Sequence, residues 1–116
     1  MPNNTKVAAG EMVFKIKADF LKSLAHPSRL AVIEYLKKRE APVGRIVKDL
    51  AMEQSGLSKH LATLRQAGIL ASRQEKANVY YSIKDKDIFL VLRPIAEILR
   101  KKLRESGRLL SSFGKT

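Results

Sequence analysis

Between Leu57 and Ile83 the hydrophobic period of the chain changes, and that change restricts the fold more than any other feature. Leu57, Leu61 and Leu64 stand four and then three residues apart, the stripe of a helix with one buried face. Gly68 follows, the residue type that closes a helix in the left-handed conformation. Directly after it, Ile69-Leu70-Ala71-Ser72-Arg73 and Val79-Tyr80-Tyr81-Ser82-Ile83 read as short strands, with the polar segment Gln74 to Asn78 between them. Two such runs predict a hairpin. The chain is therefore expected to be mainly α with one β-hairpin.

The rest of the chain reads as helices. From Glu11 the apolar residues Val13, Phe14, Ile16, Phe20, Leu21 and Leu24 recur at helical spacing. His26-Pro27 interrupts them, and Pro at the first position of a new helix is favourable because its missing N–H has no partner there anyway. This second helix is predicted to reach about Arg39, where Lys37, Lys38 and Arg39 suit the negative end of the helix dipole. Glu40-Ala41-Pro42 breaks it. A third helix is predicted over 44–51 and a fourth from the turn Glu53-Gln54-Ser55-Gly56 to about Ala67. Asp85 opens a last helix to about Glu105, with Ile88, Leu92, Ile95, Leu99 and Leu103 along one stripe and Pro94 inside it, which predicts a kink or an early break. The order is α-α-α-α-β-β-α. A flexible arm is expected over 1–10, one domain over 11–105 and a basic tail over 106–116.

Charge narrows the function. Among 116 residues, 23 Lys and Arg face 11 Asp and Glu, a formal net charge of +12 with pI near 10.2. Such an excess points to a polyanionic partner: nucleic acid, an acidic membrane surface or an acidic protein. No run has the length of a transmembrane helix and no signal-peptide pattern opens the chain, so a cytoplasmic protein with no membrane partner is expected. With no Cys at all, disulfides and thiolate metal or redox sites are excluded.

Two helices, a tight turn, a helix ending in Gly and a basic hairpin make the winged helix-turn-helix plan. If Leu57, Leu61 and Leu64 face the core, then Gln54, Ser55, Gly56, Ser58, Lys59 and Thr63 lie on the open side of the fourth helix, with His60 and Arg65 at its flanks. Small and hydrogen-bonding side chains let a helix enter a groove and meet base edges. Gly56 leaves room for close backbone approach. Arg73, Lys76 and Asn78 at the hairpin suit phosphates, which position a protein without specifying sequence.

These stretches resemble the ArsR-type (arsenic repressor) winged-helix regulators. The resemblance is carried by Leu24-Ala-His-Pro-Ser-Arg-Leu-Ala-Val-Ile-Glu-Tyr-Leu36, by Val43-Gly-Arg-Ile-Val-Lys-Asp-Leu50 and by Gln54 to Leu70, with Ser58-Lys59-His60-Leu61 and Ala67-Gly68 its most specific parts. Val79 to Ile83 resembles the second wing strand. The resemblance implies a homodimer built from the first and last helices, one recognition helix per subunit, double-stranded operator DNA as target and repression relieved by an effector, a small molecule or a protein. The apolar stripes agree, since both are broader than one small core requires. Phe14, Phe20, Leu21, Ile88, Leu92, Ile95 and Leu99 are the expected interface.

The departures from the family are equally informative. Pro42 and Gly44 stand where many members carry a Cys-x-Cys metal pair, and Ile98 and Lys101 replace two ligands of the other family metal site, leaving Asp85 and Asp87. Two hard oxygens beside a Lys do not make a zinc site. No metal and no cofactor are expected. The wing lacks its usual Gly and has Lys76-Ala77-Asn78 instead. His26 is read as structural, His60 as a DNA-facing group. No carboxylate pair, Cys-His or Ser-His-Asp arrangement or phosphate loop rises from the sequence, so an enzyme is not expected. The alternative to a specific regulator is a low-specificity architectural DNA-binding protein.

Overall fold

The computed structural model describes residues 4–106, with side chains from residue 9 onward. Its elements are α1 (Asn4–Leu24), α2 (Pro27–Tyr35), β1 (Ala41–Pro42), α3 (Val43–Leu50), α4 (Gln54–Gln66), β2 (Leu70–Glu75), β3 (Asn78–Ile83) and α5 (Ile88–Ser106). The chain divides into two compact units, one up to Lys84 and one from Asp85.

In the first unit, the helical stripes converge as their periodicity requires. Val32, Ile33, Ile46, Leu57, Leu61, Leu64 and Leu70 have less than 2% of their surface exposed. They come from α2, α3, α4 and β2, so each short amphipathic element completes the core of the others. Gly68 takes φ +79, and Ile69 N and Gly68 N donate to the carbonyls of Leu64 and Arg65. Those two bonds satisfy the orphan carbonyls at the end of α4 as a Schellman closure does. At the start of α2, His26 is extended and its Nδ1 accepts from the Ser28 amide at 3.0 Å, so the imidazole does the work of a capping carboxylate.

Several boundaries differ from expectation. α1 starts at Asn4, so the arm expected over 1–10 is helical from residue 4. Val7, Ala8 and Ala9 lack an apolar period yet do not oppose a helix, and Ala favours one. The tail beyond Ser106 lies outside the described residues. α2 stops at Tyr35 rather than near Arg39, because Leu36 is buried and the chain turns to bring Ala41 into an unexpected third strand. This strand, β1, pairs antiparallel with β3, Ala41 opposite Tyr81 and Pro42 opposite Tyr80, giving the order β1-β3-β2. Pro42 lies on the sheet's edge strand, where a missing N–H is tolerated. The hairpin is tighter than expected: Glu75 pairs with Asn78, and only Lys76 and Ala77 connect the strands. Lys76 takes φ +56, the position where a two-residue hairpin favours Gly.

α5 is continuous through Pro94, so the proline neither ends nor breaks it, and it begins at Ile88 rather than Asp85. Asp85 instead accepts from the amide of Asp87, in the turn before the helix. Ile88 is only 6% exposed. Leu92 is half-buried, while Ile95 and Leu99 are exposed.

Ala51 closes α3 at φ 53, ψ 47, in the left-handed region that Ala disfavours by about 1–2 kcal/mol. Replacing it with Gly removes that strain but raises the entropy of the unfolded chain. Ala51→Gly should therefore stabilise by about 0.5–1 kcal/mol and raise Tm by roughly 2–8 °C, read by circular dichroism on heating. An unchanged or lower Tm would show that the conformation costs nothing at this position.

Candidate nucleic-acid interface

α4 divides cleanly into two faces. Its inner face is Leu57, Leu61 and Leu64, at 1%, 0% and 0% exposure. On the other side Gln54, Ser55, Ser58, Lys59 and Arg65 are exposed, with Gly56 and Thr63 half-buried. A Cβ built on Gly56 would meet nothing within 4 Å, so no neighbour inside the chain demands glycine there. The helix entry carries no side-chain cap, which leaves first-turn amides open to an external acceptor. α3 reaches this helix through the left-handed Ala51 and the amide of Met52, which donates to Val47 O. The short connection is the tight turn of a helix-turn-helix.

His60 is half-buried and engaged within the chain. Its Nδ1 accepts from Arg29 Nε at 3.0 Å, and its ring centroid lies 4.2 Å from that of His26. The imidazole belongs to the packing of α4 on α2. Burial pushes its pKa below the ordinary histidine value, and the neighbouring His26 and Arg29 push the same way.

Arg73 is also differently placed from expectation. It lies on β2, and both its Nε and Nη2 donate to Glu40, at 2.8 and 2.7 Å, as a fork on a carboxylate. Its Nη1 donates to Glu75 at 2.9 Å, and the guanidinium carbon sits 4.6 Å from the centre of the Tyr80 ring. The carboxylates of Glu40 and Glu75 hold the guanidinium protonated, raising its pKa. Arg73 is thus a clasp between β2 and the segment before β1, with its charge already matched. Lys76 and Asn78 remain exposed at the wing tip.

Sequence reasoning missed Glu40, Tyr80 and Arg29. Glu40 and Arg29 act on residues more than 30 positions away, where no local pattern marks them, and Tyr80 faces Arg73 across the hairpin only through the register of β2 and β3. Among the described residues no three His, Cys, Asp or Glu side chains gather as a metal would require, and no helix is long and apolar enough to cross a membrane.

This arrangement has relatives. A helix-turn-helix domain family matches residues 24–73. The chain is similar to the uncharacterized HTH-type transcriptional regulator Rv0081 of Mycobacterium tuberculosis, at 38% identity over 104 residues that cover 89% of this chain and 91% of that protein. The crystal structure of Rv0081 superposes with a TM-score of 0.73 at 37% identity, covering 81% of this chain and 95% of that one. The transcriptional repressor PagR of Bacillus anthracis is 37% identical over 82 residues, 67% of this chain and 82% of its own length. A transcriptional repressor SmtB homolog of Synechocystis is 31% identical over 84 residues, covering 72% of this chain and 64% of that protein. With the α4 faces, the hairpin wing and these similarities together, the chain belongs to the winged helix-turn-helix transcriptional regulators, DNA-binding proteins rather than enzymes, and is related to the ArsR/SmtB-like members of that group.

Proposed function

We propose that the protein is an ArsR-type repressor that binds double-stranded operator DNA as a homodimer and reads an inverted repeat through α4. The observation that carries this reading is the division of α4 into a core stripe and a face of short polar side chains. Gln54, Ser55, Ser58, Lys59 and Thr63 are assigned to base edges, and Gly56 to close approach of the helix backbone. Arg65, Lys76 and Asn78 are assigned to the sugar-phosphate backbone. Similarity to repressors such as PagR supports repression as the outcome of binding. An effector that ends repression is a small molecule or a protein rather than a thiolate-bound metal, because the chain has no Cys. Such a target places the protein with the chromosome in the cytoplasm.

Selection of bound duplexes from a random pool, followed by footprinting, tests the reading. The expected result is a protected inverted repeat with half-site centres about 34–36 Å apart, one helical turn. Uniform coverage without an enriched sequence would instead identify a low-specificity architectural DNA-binding protein.

Apolar surface supports the homodimer. α1 exposes Met12, Phe14, Ile16 and Leu21 at 63%, 70%, 61% and 52%, more than a lone protein ordinarily leaves in water along one helix. α5 exposes Leu90, Ile95, Ile98 and Leu99. Phe14→Glu with Leu21→Glu, one above the other on the same face of α1, would place unpaired carboxylates in that seam, at a cost of several kcal/mol to association. Sedimentation of this variant should show monomer and DNA affinity should fall steeply, with helicity by circular dichroism unchanged. A wild-type protein that sediments as monomer at micromolar concentration would overturn the dimer.

A further inference from the structure

Three helices meet at one guanidinium. Arg29, in the first turns of α2, donates through Nε to His60 Nδ1 of α4 at 3.0 Å. Through Nη1 it donates to the carbonyls of Lys22 and Ser23, at 3.3 and 3.2 Å, in the last turn of α1. The final carbonyls of a helix have no partner within it and carry its negative end, so a cation is doubly suited to them. The two tasks need donors on separate edges of one rigid plane, which a guanidinium has and an ammonium lacks. The bond to His60 also fixes that ring's state: an accepting Nδ1 means a neutral imidazole protonated on Nε2. His26 leans on the same ring at 4.2 Å while its own Nδ1 caps α2.

We propose that Arg29, acting through neutral His60, is the positioning residue for DNA reading: it sets the seat of α4, and with it Ser55, Ser58 and Lys59, against the end of α1. The inference rests on α4 being the DNA-reading helix. Its consequence is a pH dependence of unusual sign. Protonating His60 removes the acceptor and sets a cation against the two groups that face it, Arg29 and His26. Because the folded-state pKa of His60 is depressed, its contribution is present above the ordinary histidine value and is lost as pH falls through the depressed one. A histidine that merely gained charge on a basic protein would strengthen DNA binding on acidification. Here acidification should weaken it.

The test uses the full chain and a duplex enriched from a random pool. Wild-type affinity should fall about tenfold between about pH 7.5 and about pH 5.5, the size expected for losing a charge-assisted hydrogen bond. His60→Ala should lose about the same factor at every pH, and His60→Gln, whose amide oxygen accepts without titrating, should restore affinity and flatten the profile. Arg29→Lys should lose about tenfold at neutral pH. Nitrogen NMR of the histidines, which needs no DNA, should show His60 protonated on Nε2 alone above neutrality. Affinity that rises on acidification, or a His60→Gln profile identical to wild type, would overturn the positioning role while leaving the DNA reading intact. A His60 protonated on Nδ1 would overturn it independently of DNA. A selection that enriches no duplex would overturn the DNA reading, and this inference with it.

Discussion

Leu61→Ala should lower the unfolding free energy by about 3–5 kcal/mol, a large share of the 5–15 kcal/mol typical of a domain. Leu61 is fully buried at the middle of the inner stripe of α4, and α4 packs on α1, α2, α3 and β2. Truncation there removes the transfer energy of three carbons and leaves a cavity bounded by several elements, which cannot all move in to fill it. Urea denaturation should show the midpoint falling with an unchanged slope, the mark of lost stability rather than a different unfolded state. The neighbouring Ala62 is exposed, and Ala62→Ser should change the unfolding free energy by less than about 0.5 kcal/mol. A Leu61→Ala cost below about 1 kcal/mol would mean that α4 is not seated on its leucine stripe. The assignment of its opposite face to DNA would then fall too.

The second large effect separates reading from holding. Lys59→Ala should cost about 1–3 kcal/mol in discrimination between the selected duplex and random DNA. Gly56→Ala should act similarly while raising stability, because a Cβ at Gly56 meets nothing inside the chain and Ala is the better helix former. That pairing of a more stable protein with weaker specific binding is hard to obtain unless something outside the chain approaches Gly56. Lys76→Ala should instead weaken binding to all sequences and lower the salt slope by about one unit. Arg73→Ala should not lower the slope by a full unit, since its charge is already matched by Glu40 and Glu75. Competition binding at two salt concentrations reads all four variants. Lost discrimination in the Lys76 variant, with discrimination kept in the Lys59 and Gly56 variants, would reverse the roles of wing and helix.

Much of this protein was decided within a few residues of chain. The stripe Leu57, Leu61, Leu64, the closing Gly68 and the change to strand period follow from spacings of three, four and two, which side-chain geometry imposes locally. The start of α2 at His26-Pro27 is local as well, a cap and a proline acting over two residues. Such features placed the helix-turn-helix and the wing, and the charge of +12 pointed to a polyanion. Only the folded chain decided what lies beyond that range. β1 is two residues long, too short for any period, and exists because Ala41 and Pro42 find β3. Arg73 reads as a free wing cation until Glu40, 33 residues earlier, is brought against it. That Arg29, 31 residues earlier, donates to His60 is likewise decided only by the folded chain. Both partners are polar residues without periodicity, whose pairing is a property of distance in space, and distance in space is what tertiary packing creates.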